Sequence, residues 1–251
     1  MGQAVTDRAL AILGAFDTDH ARLGLTQLAR RAGIPLSTCH RLVGKLIEWG
    51  ALEKAGRTYH IGRRIWELGL LAPTQQSAIE LATPFMQDVL FVTRNVVNLF
   101  VLDEDRALLL GRIAGTAVGT PFRKVGDRME LHASAAGKIL LAHAGPSLVE
   151  QCCQQLTPLT DKTITDPAVL RNQLAEARRR GYAVTEGESA LENNAIAVPV
   201  LGADGVVVAS LGIVQIRGFA NPGRVVPVLQ LAARGIARQW RFAEVIAAER
   251  P

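Results

Sequence analysis

One side of the segment Leu36–Ile47 carries residues suited to gripping a polyanion: Ser37, Thr38, His40, Arg41, Gly44 and Lys45. The other side carries Cys39, Leu42, Val43 and Leu46, which recur at helical spacing and can bury against a neighbouring helix. Hydroxyls, an imidazole, a guanidinium, an ammonium and one small residue on a single helix face suit the DNA major groove, which admits one helix and presents acceptor-rich base edges. In that setting Arg41 can take a guanine edge with two hydrogen bonds, and Lys45 meets phosphate.

Such a helix must be held by its neighbours, and the flanking sequence supplies them. Gly24–Pro35 reads as a short helix stopped by Gly33, with Pro35 opening the next. After Gly50 come two short strands, Ala51–Lys54 and Thr58–Ile61, around the turn Ala55-Gly56-Arg57, which places Lys54 and Arg57 for phosphate contact. A helix-turn-helix followed directly by a hairpin is a winged helix; the competing reading is a helical hairpin with a solvated basic face. Upstream, Thr6–Phe16 reads as a helix capped by Thr6, with Ala9, Ile12, Leu13 and Phe16 inward. Its Arg8 projects toward DNA or is an ordinary surface arginine.

The whole chain bounds these readings. At 251 residues and 49% hydrophobic content it folds into one large or two ordinary domains. Net charge is +5, and most of the excess lies early: through residue 72, ten Lys/Arg face six Asp/Glu. Three cysteines, two of them adjacent (Cys152, Cys153), make no disulfide framework, and five scattered histidines suggest neither a metal site nor a cofactor. No apolar run is long enough to span a bilayer, and Met1–Asp7 lacks a signal-peptide core, so the expected location is cytoplasmic, with no membrane partner.

Residues 62–71 read as a linking helix, basic at its start, and Ala72–Ser77 as the boundary. The expected division is a winged-helix domain at 1–61, linking helix and linker at 62–76, and a larger domain at 77–251. In the larger domain the periodicities predict helices at Ile79–Thr93, Ala133–His143, Asp166–Gly181 and Pro222–Ala247. They predict strands at Val96–Leu102, Ala107–Ile113, Tyr182–Glu186, Ala195–Leu201 and Val206–Val214. Helices outside a mostly antiparallel sheet make this an α+β fold.

With these segments in hand the chain resembles the IclR-type family of bacterial transcription regulators. The resemblance rests on Arg8–Leu13, Leu28–Pro35, Ser37–Leu42, Val125–Arg128, Leu131–Lys138, Thr163–Asp166, Arg180–Val184 and Ile196–Val200, in the family's order. It implies a winged helix, a linking helix and a GAF/PAS-like effector domain. It also implies a homodimer or dimer of dimers on a roughly palindromic operator beside a catabolic operon, controlled by a small organic acid, with RNA polymerase left open as a further partner.

In that family the effector lies between the sheet and the helix that starts at the His-Ala-Ser motif. Here Ala133, Ala135, Ala136 and Gly137 remove bulk, so a carboxylate can approach amides at a helix N-terminus. The same small residues also suit plain helix-on-sheet packing. Relatives that bind small oxo-acids often carry an aspartate at Thr185, a cysteine at Ala195 and serines at Gly212 and Val214. Losing those groups removes the dense hydrogen bonding a tiny hydrophilic acid needs and enlarges the cavity, which implies a larger, flatter, aromatic acid. The expected walls are Leu99, Val101, Met129, Ile196 and Val214, with Arg123, Lys124 or Arg128 neutralising the carboxylate. A pocket surviving only for assembly is the other option. No catalytic residue is expected: Gly137-Lys138 lacks the glycine and Ser/Thr of a phosphate loop, Gly187–Leu191 lacks the closing glycine of a nucleophile elbow, and nothing activates Cys152-Cys153.

Overall fold

The structure, a computed structural model, describes residues 5–17, 19–69, 71, 76–115, 123–215 and 221–248; linker residues 72–75 lie outside these. The chain divides into two compact units, Met1–Gln76 and Ser77–Pro251.

The first unit contains α1 (Val5–Leu13), β1 (Leu23–Gly24), α2 (Leu25–Arg31), α3 (Leu36–Trp49), β2 (Leu52–Ala55), β3 (Thr58–Ile61) and α4 (Arg63–Gly69). Thr6 lies inside α1 rather than at its cap, and the helix stops at Leu13, before Phe16. The turn from α2 to α3 depends on Gly33, whose φ of +66° favours glycine. There the Ile34 amide donates to Ala29 O (3.0 Å). Cys39, Leu42 and Val43 of α3 then bury with Ile12, Leu23, Leu28 and Tyr59, so period-3.6 burial fixes which side of α3 faces out. The wing pairs Lys54 with Tyr59 and Ala55 with Thr58. A third strand, β1, absent from the sequence reading, adds Leu23 opposite Tyr59. The linking helix α4 is anchored on the end of α3: Arg64 stacks 4.4 Å over the Trp49 ring and donates to Trp49 O (3.0 Å).

The second unit contains α5 (Gln76–Thr93), β4 (Val96–Asp103), β5 (Arg106–Ile113), β6 (Arg128–Glu130), α6 (Ala135–His143), α7 (Pro146–Gln154), α8 (Pro167–Arg180), β7 (Ala183–Glu186), β8 (Asn194–Leu201), β9 (Val207–Gln215) and α9 (Pro222–Ala248). The sheet runs β6-β5-β4-β9-β8-β7, and its pairings are antiparallel. One face buries Val97, Leu99, Val198 and Leu211 with α5 and α9; the other buries Phe100 and Leu109 with Ile139 and Leu141 of α6 and Leu170 of α8. The α8 boundaries follow from local chemistry. Asp166 Oδ1 accepts from the Ala168 amide (2.7 Å), Pro167 opens the first turn, and Gly181 ends the helix at φ +72°. The sequence reading omitted β6 and α7. Both are short; α7 starts at Gly145-Pro146 and buries Cys153. Among the described residues no helix is long and apolar enough to cross a membrane.

Candidate functional site

The first unit presents a polar, solvent-open surface. Ser37, His40, Arg41, Gly44 and Lys45 of α3 are exposed, as are Lys54 and Arg57 of the wing; Thr38 and, on α1, Arg8 are half-buried. Lys45 Nζ sits 2.8 Å from Glu48 Oε2, an exposed pair that holds the Glu48 carboxyl below its usual range. In water such a pair contributes little, so Lys45 can exchange it for a phosphate at small cost.

In the second unit a cavity of about 50 Å³ lies between the sheet and the start of α6. Met129, Ala135, Ala136, Thr185, Ala195, Ile196, Gly212 and Val214, all expected there, line it; so do Val96, Asn98, Phe100, Arg112, Ser134, Ser189 and Asn193, which the sequence reading did not select. Ser134 caps α6, its Oγ accepting from the Gly137 amide (3.1 Å). The amides of Ala135 and Ala136, in the first turn, have no acceptor within the helix.

Two of the expected walls fall on the other side of the sheet. Leu99 and Val101 pack with the α5/α9 core, as does the Ile196 side chain, so Ile196 meets the cavity from the far side of its strand. Strand side chains alternate faces, so the wall residues of β4 are Val96, Asn98 and Phe100. Arg112 reaches the cavity through a bulge. Phe100 pairs with Leu109 but Leu99 pairs with Gly111, so Leu110 is an extra residue that reverses the face of everything beyond it. Arg112 therefore stands directly across from Asn98 on the cavity side. It is half-buried, no carboxylate pairs with it among the described residues, and burial pushes its pKa down.

Two glycines also act otherwise than expected. A Cβ at Gly137 would lie 2.5 Å from Leu131 O and 2.6 Å from Ser134 Oγ; this glycine serves closure of the turn and does not line the cavity. A Cβ at Gly212 would lie 2.8 Å from Ile196 O and 3.0 Å from Ala197 Cβ, so β8 already fills the space beside it, and the missing side chain does not by itself leave room in the cavity. Of the three basic residues offered as carboxylate partners, Arg123 lines the cavity, whereas Lys124 does not and Arg128 is held by Asp103 (2.7 Å).

Comparison with known proteins bears on the whole chain. Residues 5–56 match the IclR helix-turn-helix domain, and residues 72–238 match the bacterial transcriptional regulator IclR C-terminal domain. The chain belongs to the IclR family of transcriptional regulators. Among its relatives, the HTH-type transcriptional regulator BhcR of Paracoccus denitrificans is 32% identical over 216 residues, 84% of this chain and 77% of that protein. KdgR of Dickeya chrysanthemi is 30% identical over 89% of this chain and 76% of its own length. Among solved structures, an IclR homologue from Microbacterium hydrocarbonoxydans complexed with 4-hydroxybenzoate is 33% identical, with a TM-score of 0.89 over 95% of this chain and 99% of that one.

In this IclR-family chain the loop between β7 and β8, which brings Ser189 and Asn193 to the cavity, is fastened from below. Lys138 Nζ donates to both Glu188 carboxylate oxygens and to Gln173 Oε1, each at 2.7 Å. Burial lowers the Lys138 pKa, and the Glu188 charge opposes that shift. Thr160 and Thr163 also hold this loop: Thr163 Oγ1 donates to Glu188 O and Thr160 Oγ1 to Gly187 O, both at 2.7 Å. Burial raises the Cys152 thiol pKa to about 11, which disfavours its thiolate.

Proposed function

We propose that this regulator reads a roughly palindromic operator beside a catabolic operon through the outward face of α3, as a homodimer or dimer of dimers, and that it answers to an aromatic carboxylic acid. It acts by binding rather than by catalysis, in the cytoplasm. Two copies of α3 enter successive major grooves about 34 Å apart. Arg41 reads a base edge, aided by Ser37, Thr38 and His40, while Arg8, Lys45, Lys54 and Arg57 meet phosphates.

The effector reading is carried by the union of an unpaired, half-buried Arg112 with apolar walls at Val96, Phe100, Met129 and Val214. A guanidinium there takes a carboxylate with paired hydrogen bonds, beside the free amides of Ala135 and Ala136. The apolar walls take a ring and give a two- or three-carbon oxo-acid few partners to offset its desolvation. The 4-hydroxybenzoate bound by the Microbacterium hydrocarbonoxydans homologue supports the same class of ligand. The cavity volume, about 50 Å³, is roughly a third of the cavity that admits benzene in an engineered protein core. Entry of a ring therefore displaces wall side chains, and this displacement is the local change that must reach the DNA-binding unit.

Calorimetric titration of the full chain with benzoate, 4-hydroxybenzoate, glyoxylate and pyruvate tests the reading. Saturable heat with the aromatic acids alone is expected; binding of the oxo-acids without the aromatics overturns it.

A further inference from the structure

We infer that Asn98 is the residue that selects a ring hydroxyl, so that the effector is a phenolic acid rather than an unsubstituted aromatic one. The inference rests on the aromatic-acid reading and goes one step further, to the specificity of the site.

Asn98 lies on β4, flanked on both sides by other strands, and is 3% exposed. Its Oδ1 is buried with no hydrogen-bond partner, and no side-chain bond engages its amide nitrogen among the described residues. The neighbours across the sheet explain why. On β9 its partner is Gly212, which has no side chain to offer; on β5 its partner is Arg112, and no hydrogen bond reaches Asn98 Oδ1 from it among the described residues. The amide is thus a polar group already stripped of water on the wall of a ligand cavity.

A buried, unsatisfied amide is a standing cost to the empty protein. An apolar ring leaves that cost in place, whereas a hydroxyl on the ring relieves it. Sites of this kind discriminate strongly, because the ligand lacking the group leaves the protein's own polar atoms unpaired. A half-turn about χ2 exchanges Oδ1 and Nδ2, so the same amide can accept from a phenol proton or donate to the phenol oxygen. Two other buried polar wall residues differ: Ser134 Oγ already accepts from the Gly137 amide and donates to Glu130 O, and neither Ser134 nor Thr185 has a fully buried side-chain atom without a partner. Ser189 and Asn193 lie on a loop and are only half-buried, so they keep access to water and lose little when an unsubstituted ring passes them. With the carboxylate on Arg112, the Asn98 amide is a desolvated polar group on the neighbouring strand of the same wall, and a hydroxyl on the ring is the group it fits.

The test is calorimetric titration of the full-length protein with 4-hydroxybenzoate, 4-methylbenzoate and benzoate, for wild type and for Asn98→Leu. The methyl analogue matches the hydroxyl in size and lacks its proton. Wild type is expected to bind 4-hydroxybenzoate about tenfold tighter than 4-methylbenzoate. In Asn98→Leu that ratio falls to about one or reverses, whatever the change in absolute affinity for the three acids. Equal affinity of wild type for the hydroxy and methyl acids overturns the inference without any variant, and leaves the aromatic-acid reading standing. Persistence of the tenfold ratio in Asn98→Leu overturns the assignment to Asn98. If wild type binds no aromatic acid at all, both this inference and the reading beneath it fall.

Discussion

Replacing Lys138 with methionine removes the cation from beneath the loop that joins β7 to β8 and leaves the Glu188 carboxylate without its partner. Side-chain exposure is 2% for Lys138 and 8% for Glu188, so neither charge can turn to water instead. All three ammonium protons are used, two on Glu188 and one on Gln173. Breaking such a buried pair from one side costs about 3–5 kcal/mol, most of it the penalty on the charge left behind. For a unit the size of Ser77–Pro251, each kcal/mol lowers Tm by about 2–4 °C, so a fall of about 6–20 °C is expected. Thermal unfolding followed by fluorescence in a Trp49→Phe, Trp66→Phe background reports on this unit through Trp240, whose Nε1 donates to Ala78 O across the α5–α9 packing. Removing both charges together, Lys138→Met with Glu188→Leu, must cost less than the two single changes added, because no orphan charge remains. A drop under about 3 °C for Lys138→Met, or simple additivity in the double variant, would show that the pair does not hold the loop as described.

Other changes act on separate parts of the account. Arg41→Ala is expected to reduce discrimination between operator and random DNA by about 1–3 kcal/mol, whereas Arg57→Ala weakens both alike and flattens the salt dependence; competition binding over a salt series separates the two. Arg112→Met should weaken 4-hydroxybenzoate by tenfold or more while leaving the neutral 4-hydroxybenzamide less affected, read by calorimetry. Gly137→Val should destabilise the effector unit by at least about 1–3 kcal/mol in urea unfolding, since its Cβ would lie 2.5 Å from Leu131 O. Gly212→Ser should fail to restore oxo-acid binding and should itself lower Tm, because Ile196 O stands 2.8 Å from the new Cβ.

The recognition helix was legible because its code is local: an apolar stripe at Cys39, Leu42 and Val43 determines where Ser37, His40, Arg41 and Lys45 go. The α8 boundaries were legible for the same reason, each set by a capping residue or a glycine in its own turn. The cavity wall was not. Strands buried on both faces lose the alternation of polar and apolar residues that reveals which side is which. Reading β4 from its hydrophobic residues therefore selected Leu99 and Val101, one position away from Asn98 and Phe100. Arg112 was hidden by a bulge at Leu110 that exists only in the pairing with β4. Gly212 lines the cavity as expected, but the crowding beside it was not legible, because its neighbour across the sheet, Ala197, is distant in the chain and only the fold brings β8 against it.

The claim that joins the two units is that a ligand in the cavity and DNA on α3 bias each other. Fluorescence anisotropy titration of DNA from upstream of the protein's own gene, with and without saturating 4-hydroxybenzoate, measures that coupling directly. A change in operator affinity of about 5–150-fold, lost in Arg112→Met and absent with random DNA, is the expected result. Identical operator affinity with and without the acid, under conditions where calorimetry shows the site filled, would contradict it.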